Sequence, residues 1–131
     1  MPAHDLALLT EAARAAGEVA MRFWRNAPKS WEKGDQGPVT EADLACNDLI
    51  RGMLTRARPS YGWLSEETRD NAADRSQDRV FVVDPIDGTK DFVNGESGFC
   101  VSIALIEDGQ PVAGAVYNPN FDELVSARAG G

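Results

Sequence analysis

The densest chemistry in the sequence is Asp84-Pro85-Ile86-Asp87-Gly88-Thr89, directly after the apolar run Val80-Phe81-Val82-Val83. The run reads as a strand that ends at Asp84 and gives way to a tight turn. Proline fixes its own φ and glycine permits unusual backbone angles, so the turn can be both sharp and rigid. It can aim Asp84, Asp87 and the Ile86 carbonyl at one point, and converging hard oxygen donors suit Mg2+ or Mn2+. The same residues also fit an ordinary strand-to-helix turn in which Asp87 caps a short helix. Ser65-Glu66-Glu67-Thr68 adds an acidic pair after another short strand-like segment. Neighbours along extended chain point to opposite sides, so one glutamate can face a cation while the other faces water or a second ion. A solvated loop is the alternative for that pair. A third carboxylate is Asp43 in Pro38-Val39-Thr40-Glu41-Ala42-Asp43, whose ordinary role is to close a capping box. Carboxylates from three separate segments are what a metal-assisted hydrolytic site needs.

Spacing removes some other readings, the EF-hand and the P-loop, and weakens the haloacid-dehalogenase-like one. A calcium loop of the EF-hand type needs glycine at its sixth position, where counting from Asp84 gives Thr89 and counting from Asp87 gives Phe92. No Gly-x-x-x-x-Gly-Lys-[Ser/Thr] stretch exists, so a nucleotide-hydrolysing P-loop is excluded. Haloacid-dehalogenase-like phosphatases separate their paired aspartates by one residue, whereas two residues separate Asp84 and Asp87. His4 is the only histidine, which argues against histidine-based acid–base catalysis.

The rest of the chain reads as the frame for these groups. From about His4 to Asn26, Leu6, Leu9, Ala13, Ala16, Ala20 and Phe23 recur at helical steps, and Pro28 stops the helix. Glu11, Arg14, Glu18 and Arg22 mark its wet side. Lys33 to Pro38 is a loop by composition. A second helix begins near Thr40, carries Cys46, Leu49, Ile50, Met53 and Leu54 on its apolar face, and is bounded by Pro59. Strands follow at Tyr61–Leu64 and Val80–Val83, the latter apolar enough to be buried on both faces. Asp108-Gly109 between Phe99–Ile106 and Val112–Tyr117 is a hairpin signal, and Glu123–Ala127 forms the next strand after the Asn118-Pro119-Asn120 turn. Two helices followed by an antiparallel meander indicate an α+β layered fold.

The chain has 131 residues, with 21 acidic and 13 basic side chains and a formal net charge of −8. That charge argues against binding a nucleic-acid polymer, though a bound metal can still make a site locally positive for an anionic substrate. No apolar run approaches the ~20 residues that span a bilayer, and the N-terminus lacks the pattern of a secretion signal. Cys46 and Cys100 form neither a disulfide framework nor a zinc pattern. A cytoplasmic protein with two reduced, buried thiols, no membrane partner and a small-molecule substrate is the expectation.

Jointly, Val39-Thr40-Glu41-Ala42-Asp43, Ser65-Glu66-Glu67 and Asp84-Pro85-Ile86-Asp87-Gly88-Thr89 resemble, in order and spacing, the inositol monophosphatase family. Tyr117-Asn118-Pro119 and Asp122-Glu123-Leu124 are similar to the family's next segment. The resemblance implies a magnesium-dependent, lithium-sensitive phosphomonoesterase with a layered α/β sugar-phosphatase fold, Mn2+ being a substitute for Mg2+. It implies that Glu66, Asp84 and the Ile86 carbonyl hold a first metal, that Asp84 and Asp87 reach a second, and that Glu67 has access to a third. Thr89, hydrogen-bonded to Asp43, would orient and deprotonate the attacking water, with Glu66 completing the catalytic group. The Gly88 and Thr89 amides, with Lys33, would bind phosphate.

Leu64 to Thr68 and Thr89-Lys90-Asp91-Phe92 look more like the 3′(2′),5′-bisphosphate nucleotidase branch, while Asn94-Gly95 and the segment from Asn118 to Leu124 suit inositol-1-monophosphatases equally. Family members are longer than this chain. The resemblance therefore implies that residues 1–131 are an N-terminal metal-binding domain, and that a C-terminal region supplies a further aspartate and most contacts to the leaving group. Three expectations follow: a metal-dependent phosphatase, a metal-binding but inactive fragment, or a site completed by a homodimer partner.

Overall fold

The alanine-rich N-terminal segment forms α1, Asp5–Phe23, in the computed structural model, which describes residues 4–26, 28–32, 38–68 and 77–129. Leu9, Ala12, Ala13, Ala16 and Ala20 are fully buried along one stripe, while Glu11, Arg14, Glu18 and Arg22 face water. Small side chains let the helix sit close to the sheet. At Gly17 a Cβ would lie 2.5 Å from the Tyr117 ring. The helix stops at Phe23, well short of Pro28, because Trp24 turns extended and Arg25 takes a φ of 62°. Trp24 Nε1 and Arg25 Nε then donate to the carbonyls of Glu96 and Gly95, at 3.2 and 3.0 Å, tying the end of α1 to a loop near the site.

Two three-residue strands, β1 (Ser30–Glu32) and β2 (Pro38–Thr40), pair antiparallel on either side of the segment expected to be a loop, of which residues 33–37 lie outside the described residues. The second helix, α2, spans Glu41–Ala57 with Thr40 as its N-cap and a complete capping box. It buries Cys46, Ile50 and Leu54 against α1 and the sheet, and Cys46 Sγ donates to the Ala16 carbonyl at 3.3 Å.

The sheet has the order β3-β4-β5-β6-β7, with β3 (Gly62–Ser65), β4 (Arg79–Asp87), β5 (Cys100–Glu107), β6 (Gln110–Asn118) and β7 (Glu123–Arg128). Among the described residues, only β3 and β4 pair parallel. Phe81, Val83, Val101, Ile103, Leu105, Ala113, Ala115 and Tyr117 alternate inward to the helices and form the core. On the opposite face Val116 and Val125 remain 41% and 66% exposed. The β5–β6 hairpin turns through Asp108 and Gly109 at φ 50° and 81°, the positive values that a two-residue turn with this twist requires. The result is the expected α+β layering, a largely antiparallel sheet under two helices. No helix among the described residues is long and apolar enough to cross a membrane. Cys46 is buried as expected, but Cys100 is only half-buried.

Candidate active site

The strand β4 does not stop at Asp84 but runs on to Asp87, and this changes how the two aspartates meet. In a regular strand, residues three apart point to opposite faces. Here Asp84 pairs with Ser102 and Asp87 with Cys100, so three steps along β4 oppose two along β5. That one-residue excess is a β-bulge. Ser102 and Cys100 share a face, and their partners Asp84 and Asp87 are therefore brought to the same side. Pro85, which has no N–H to donate, falls inside the bulge, where a missing ladder bond is tolerated.

Gly88 then adopts φ 90° and opens the short helix α3, Thr89–Val93, with no side-chain cap. The alternative in which Asp87 caps this helix is thus not what forms. A Cβ on Gly88 would approach the Gly98 carbonyl to 3.2 Å and Phe99 Cα to 3.3 Å, so backbone angle and space both favour glycine. An edge-on contact between Phe92 and Phe99, with centroids 4.8 Å apart, anchors α3 to the core.

Asp43 serves two elements. Its Oδ2 accepts from the Thr40 amide at 2.8 Å and the Thr40 hydroxyl at 2.7 Å, closing the capping box. Its Oδ1 lies 3.0 Å from the Thr89 hydroxyl, which is also 3.0 Å from the Ile86 carbonyl. Asp43 is 1% exposed. Burial raises its pKa against the lowering effect of the hydrogen bonds from Thr40 and Thr89.

The Glu66–Glu67 turn is pinned from below. Ser65 Oγ donates to Asn47 Oδ1 at 2.5 Å and accepts from the Glu67 amide at 3.2 Å. Asn47 Nδ2 and Trp63 Nε1 both donate to Thr68 Oγ1 at 3.0 Å. Asn47 follows Asp43 by one helical turn on α2, so its spacing from Asp43 was the available signal for a second polar anchor.

Glu66, Glu67, Asp84, Ile86, Asp87, Gly88 and Thr89 all line one pocket of about 320 Å3, together with Pro38 and Lys90. Asp43 touches it through Thr89, and Lys33 lies outside the described residues. Lys90 joins the site from the first turn of α3, outside the acidic motifs that mark it in the sequence. The pocket is electrostatically tense. Burial and then the charges of Asp87, Glu66, Asp43 and Glu67 push the Asp84 carboxyl up to about 7. Burial, then Asp87 and Asp84, also raise the Cys100 thiol.

A cation would relieve this repulsion, and an all-oxygen donor set fits Mg2+ or Mn2+ by its chemistry. Among the described residues no three acidic, thiol or imidazole groups already close on a single point. An ion there would keep part of its water shell, as Mg2+ ordinarily does.

Comparison with known proteins bears on the same residues. Residues 2–131 match the profile of the inositol monophosphatase family. The chain is 46% identical over 99 residues to an inositol-1-monophosphatase of Mesorhizobium japonicum, covering 76% of this chain and 37% of that protein. It is 38% identical over 121 residues to the 3′(2′),5′-bisphosphate nucleotidase CysQ of Escherichia coli O157:H7, covering 90% of this chain and 49% of that one. Among solved structures, the extragenic suppressor protein suhB of Bartonella henselae superposes with a TM-score of 0.91 at 35% identity, over 98% of this chain and 50% of that one. The chain thus spans half or less of the length of these relatives. A bulge that aligns two aspartates, a glutamate pair facing them, and a match over nearly every residue lead to one assignment: the chain belongs to the inositol monophosphatase family.

Proposed function

We propose that this chain carries the metal-binding half of a Mg2+-dependent enzyme that hydrolyses phosphate monoesters with water as nucleophile, and that residues 1–131 act as its N-terminal domain. The observation that carries the reading is the alignment of Asp84 and Asp87 on one side of β4, in one pocket with Glu66 and beside the Thr89–Asp43 pair.

Bound divalent metal would supply a water of lowered pKa and neutralise charge on the transferring phosphoryl group. The chain's own groups do the rest. Glu66, Asp84, Asp87 and the Ile86 carbonyl are the donors proposed to hold the ions, with Glu67 at the edge. Thr89 Oγ1 donates to Asp43 and accepts from a water proton, which orients that water for attack on phosphorus. Asp43, whose pKa is raised, is suited to take the proton that passes through Thr89. The amides of Gly88 and Thr89 and the Lys90 ammonium face the phosphate oxygens. The scissile P–O bond breaks as the water oxygen bonds to phosphorus, the leaving alkoxide takes a proton from solvent water, and Asp43 returns the proton it accepted to solvent.

For the substrate, the segments from Leu64 to Thr68 and from Thr89 to Phe92 support a 3′(2′),5′-bisphosphate nucleotide, giving AMP and phosphate from adenosine 3′,5′-bisphosphate. The 46% identity to an inositol-1-monophosphatase favours inositol 1-phosphate as the second reading. Phosphate release from both compounds, with Mg2+ or with EDTA, tests the reading on the chain and on a version extended beyond Gly131. Expected is Mg2+-dependent release by the extended protein, lost in Asp87→Asn with the fold retained. Full turnover in Asp87→Asn would reject the role given to that residue. Mg2+ binding by the chain without turnover would identify it as a metal-binding fragment of the active enzyme. Light scattering with and without Mg2+ tests completion of the site by a second copy.

A further inference from the structure

Residues 94–99 join α3 to β5 outside any helix or strand, yet successive carbonyls there are taken up by side chains from distant elements. Arg25 Nε donates to Gly95 at 3.0 Å, Trp24 Nε1 to Glu96 at 3.2 Å and Asn118 Nδ2 to Ser97 at 3.2 Å. Trp24 and Arg25 stand just past the end of α1, and Asn118 is the last residue of β6. The Arg25 guanidinium also covers the Trp24 ring at 4.1 Å, and that ring leans on Phe99 at 6.1 Å. Arg25 holds its φ of 62°, a left-handed value that costs a non-glycine residue energy, in the conformation that makes this bond.

The other side of the same loop carries the turn of the acidic pocket. The Gly88 backbone packs on the Gly98 carbonyl and Phe99 Cα, and the Asp91 carboxylate lies so close over Gly98 that a Cβ there would be 2.5 Å from it. The backbone bonds of the loop run back to α3, from Gly95 to Phe92 at 3.1 Å and from Glu96 to Asp91 at 2.8 Å. Side chains are what tie it to α1 and β6. One residue past Phe99, Cys100 pairs with Asp87 and fixes one end of the bulge. A shift of the loop would therefore move both the Gly88 turn and the register that sets Asp87 beside Asp84.

We infer that Trp24, Arg25 and Asn118 form a clamp whose task is to position the Gly88–Thr89 turn and Asp87. They are positioning residues, since none of them lines the acidic pocket. The inference rests on the phosphatase reading only for what the turn is positioned to hold, an ion and a phosphate.

The test isolates the clamp bonds. Arg25→Gly removes a donor and relieves the positive φ, while Asn118→Asp removes the donor to Ser97 and keeps the acceptor that the Asn120 amide uses at 2.9 Å. Arg14→Ala breaks an exposed contact of α1 with Asp122, away from the loop, and is the control. Hydrogen exchange of the metal-free chain, read by mass spectrometry, should quicken about tenfold at residues 88–93 in the double variant, the weight of two net hydrogen bonds. Residues 101–106 and α2 should exchange as in wild type, and the control should match wild type throughout. Mg2+ binding by calorimetry should weaken roughly threefold in the double variant, because carboxylates that spend time out of register are competent less often. Should the double variant fail to fold, Arg25→Gly alone, at an exposed position, carries the same comparison with about a threefold change in exchange. Unchanged exchange at 88–93, or a quickening spread evenly over every segment, overturns the clamp. Wild-type Mg2+ affinity in a variant whose 88–93 segment has loosened overturns it too. If the wild-type chain binds no Mg2+ while exchange quickens at 88–93 alone, the clamp stands and the phosphatase reading falls.

Discussion

Asp84→Asn should make the metal-free chain more stable while abolishing its response to metal. Burial and four neighbouring carboxylates raise Asp84 to about 7. A carboxyl that holds its proton more tightly in the native state than in the unfolded chain stabilises the fold at low pH. That contribution is complete below the unfolded pKa and is lost as pH rises through about 7. At about 1.4 kcal/mol per pKa unit, charging the buried group would cost about 4 kcal/mol. Asp84 is only part-buried, and solvent screening reduces this to about 1–2 kcal/mol. In a domain of this size that difference is a melting shift of roughly 3–8 °C. In EDTA at ~pH 8, where the wild-type carboxylate is charged, the variant should therefore melt roughly 3–8 °C higher. At ~pH 5, where wild-type Asp84 is already neutral, the gap should close. Saturating Mg2+ should reverse the order, because only the wild type gains by binding. Melts followed by far-UV circular dichroism across this grid of pH and metal give the answer. A variant that melts lower than wild type at ~pH 8 in EDTA, or that gains as much from Mg2+, would refute both the repulsion and the role of Asp84.

The same raised pKa predicts that Mg2+ affinity weakens as pH falls below about 7 and that binding there releases a proton. Calorimetry in two buffers of different ionisation enthalpy reads this directly, and a pH-independent affinity without proton release would contradict it. In the extended enzyme, Thr40→Ala should cost about 1 kcal/mol of stability through the lost cap while keeping most turnover. Asp43→Asn should lower kcat about 100-fold or more. Parallel losses of kcat in the two variants would mean that Asp43 acts only through the helix cap. Gly17→Ala should destabilise by about 1 kcal/mol, since crowding against Tyr117 at 2.5 Å outweighs the better helix propensity of alanine. A higher melting temperature in that variant would show that α1 does not press on β6 as described.

What could be read from the sequence divides by the range of the interaction that decides each feature. The capping box at Thr40–Asp43 and the Asp108-Gly109 turn are local chemistry, and both form as their residues predict. The alanine stripe of α1 declares its buried face through periodicity alone, but its end does not. Trp24 leaves the helix for a tertiary partner, the Glu96 carbonyl, which no local pattern reveals. Strands of three residues, as in β1 and β2, are too short for alternation to show in the sequence. At the site, the acidic residues are recognisable by type, whereas their convergence depends on the register of β4 against β5. For Asn47 the sequence offers only a one-turn spacing from Asp43, and its anchoring role depends on Ser65 and Thr68, which lie far from it along the chain.

The bulge in β4 also has a consequence for how this segment can vary. A strand counts in twos, and the extra residue between Asp84 and Asp87 works as a frameshift that puts both carboxylates in the same phase. Replacing a side chain there alters one contact. Deleting or inserting a single residue would turn one aspartate to the opposite face and divide the acidic basin between two sides of the sheet. The segment should therefore accept exchanges of residue type at Ile86 or Pro85 far more readily than any change in its length.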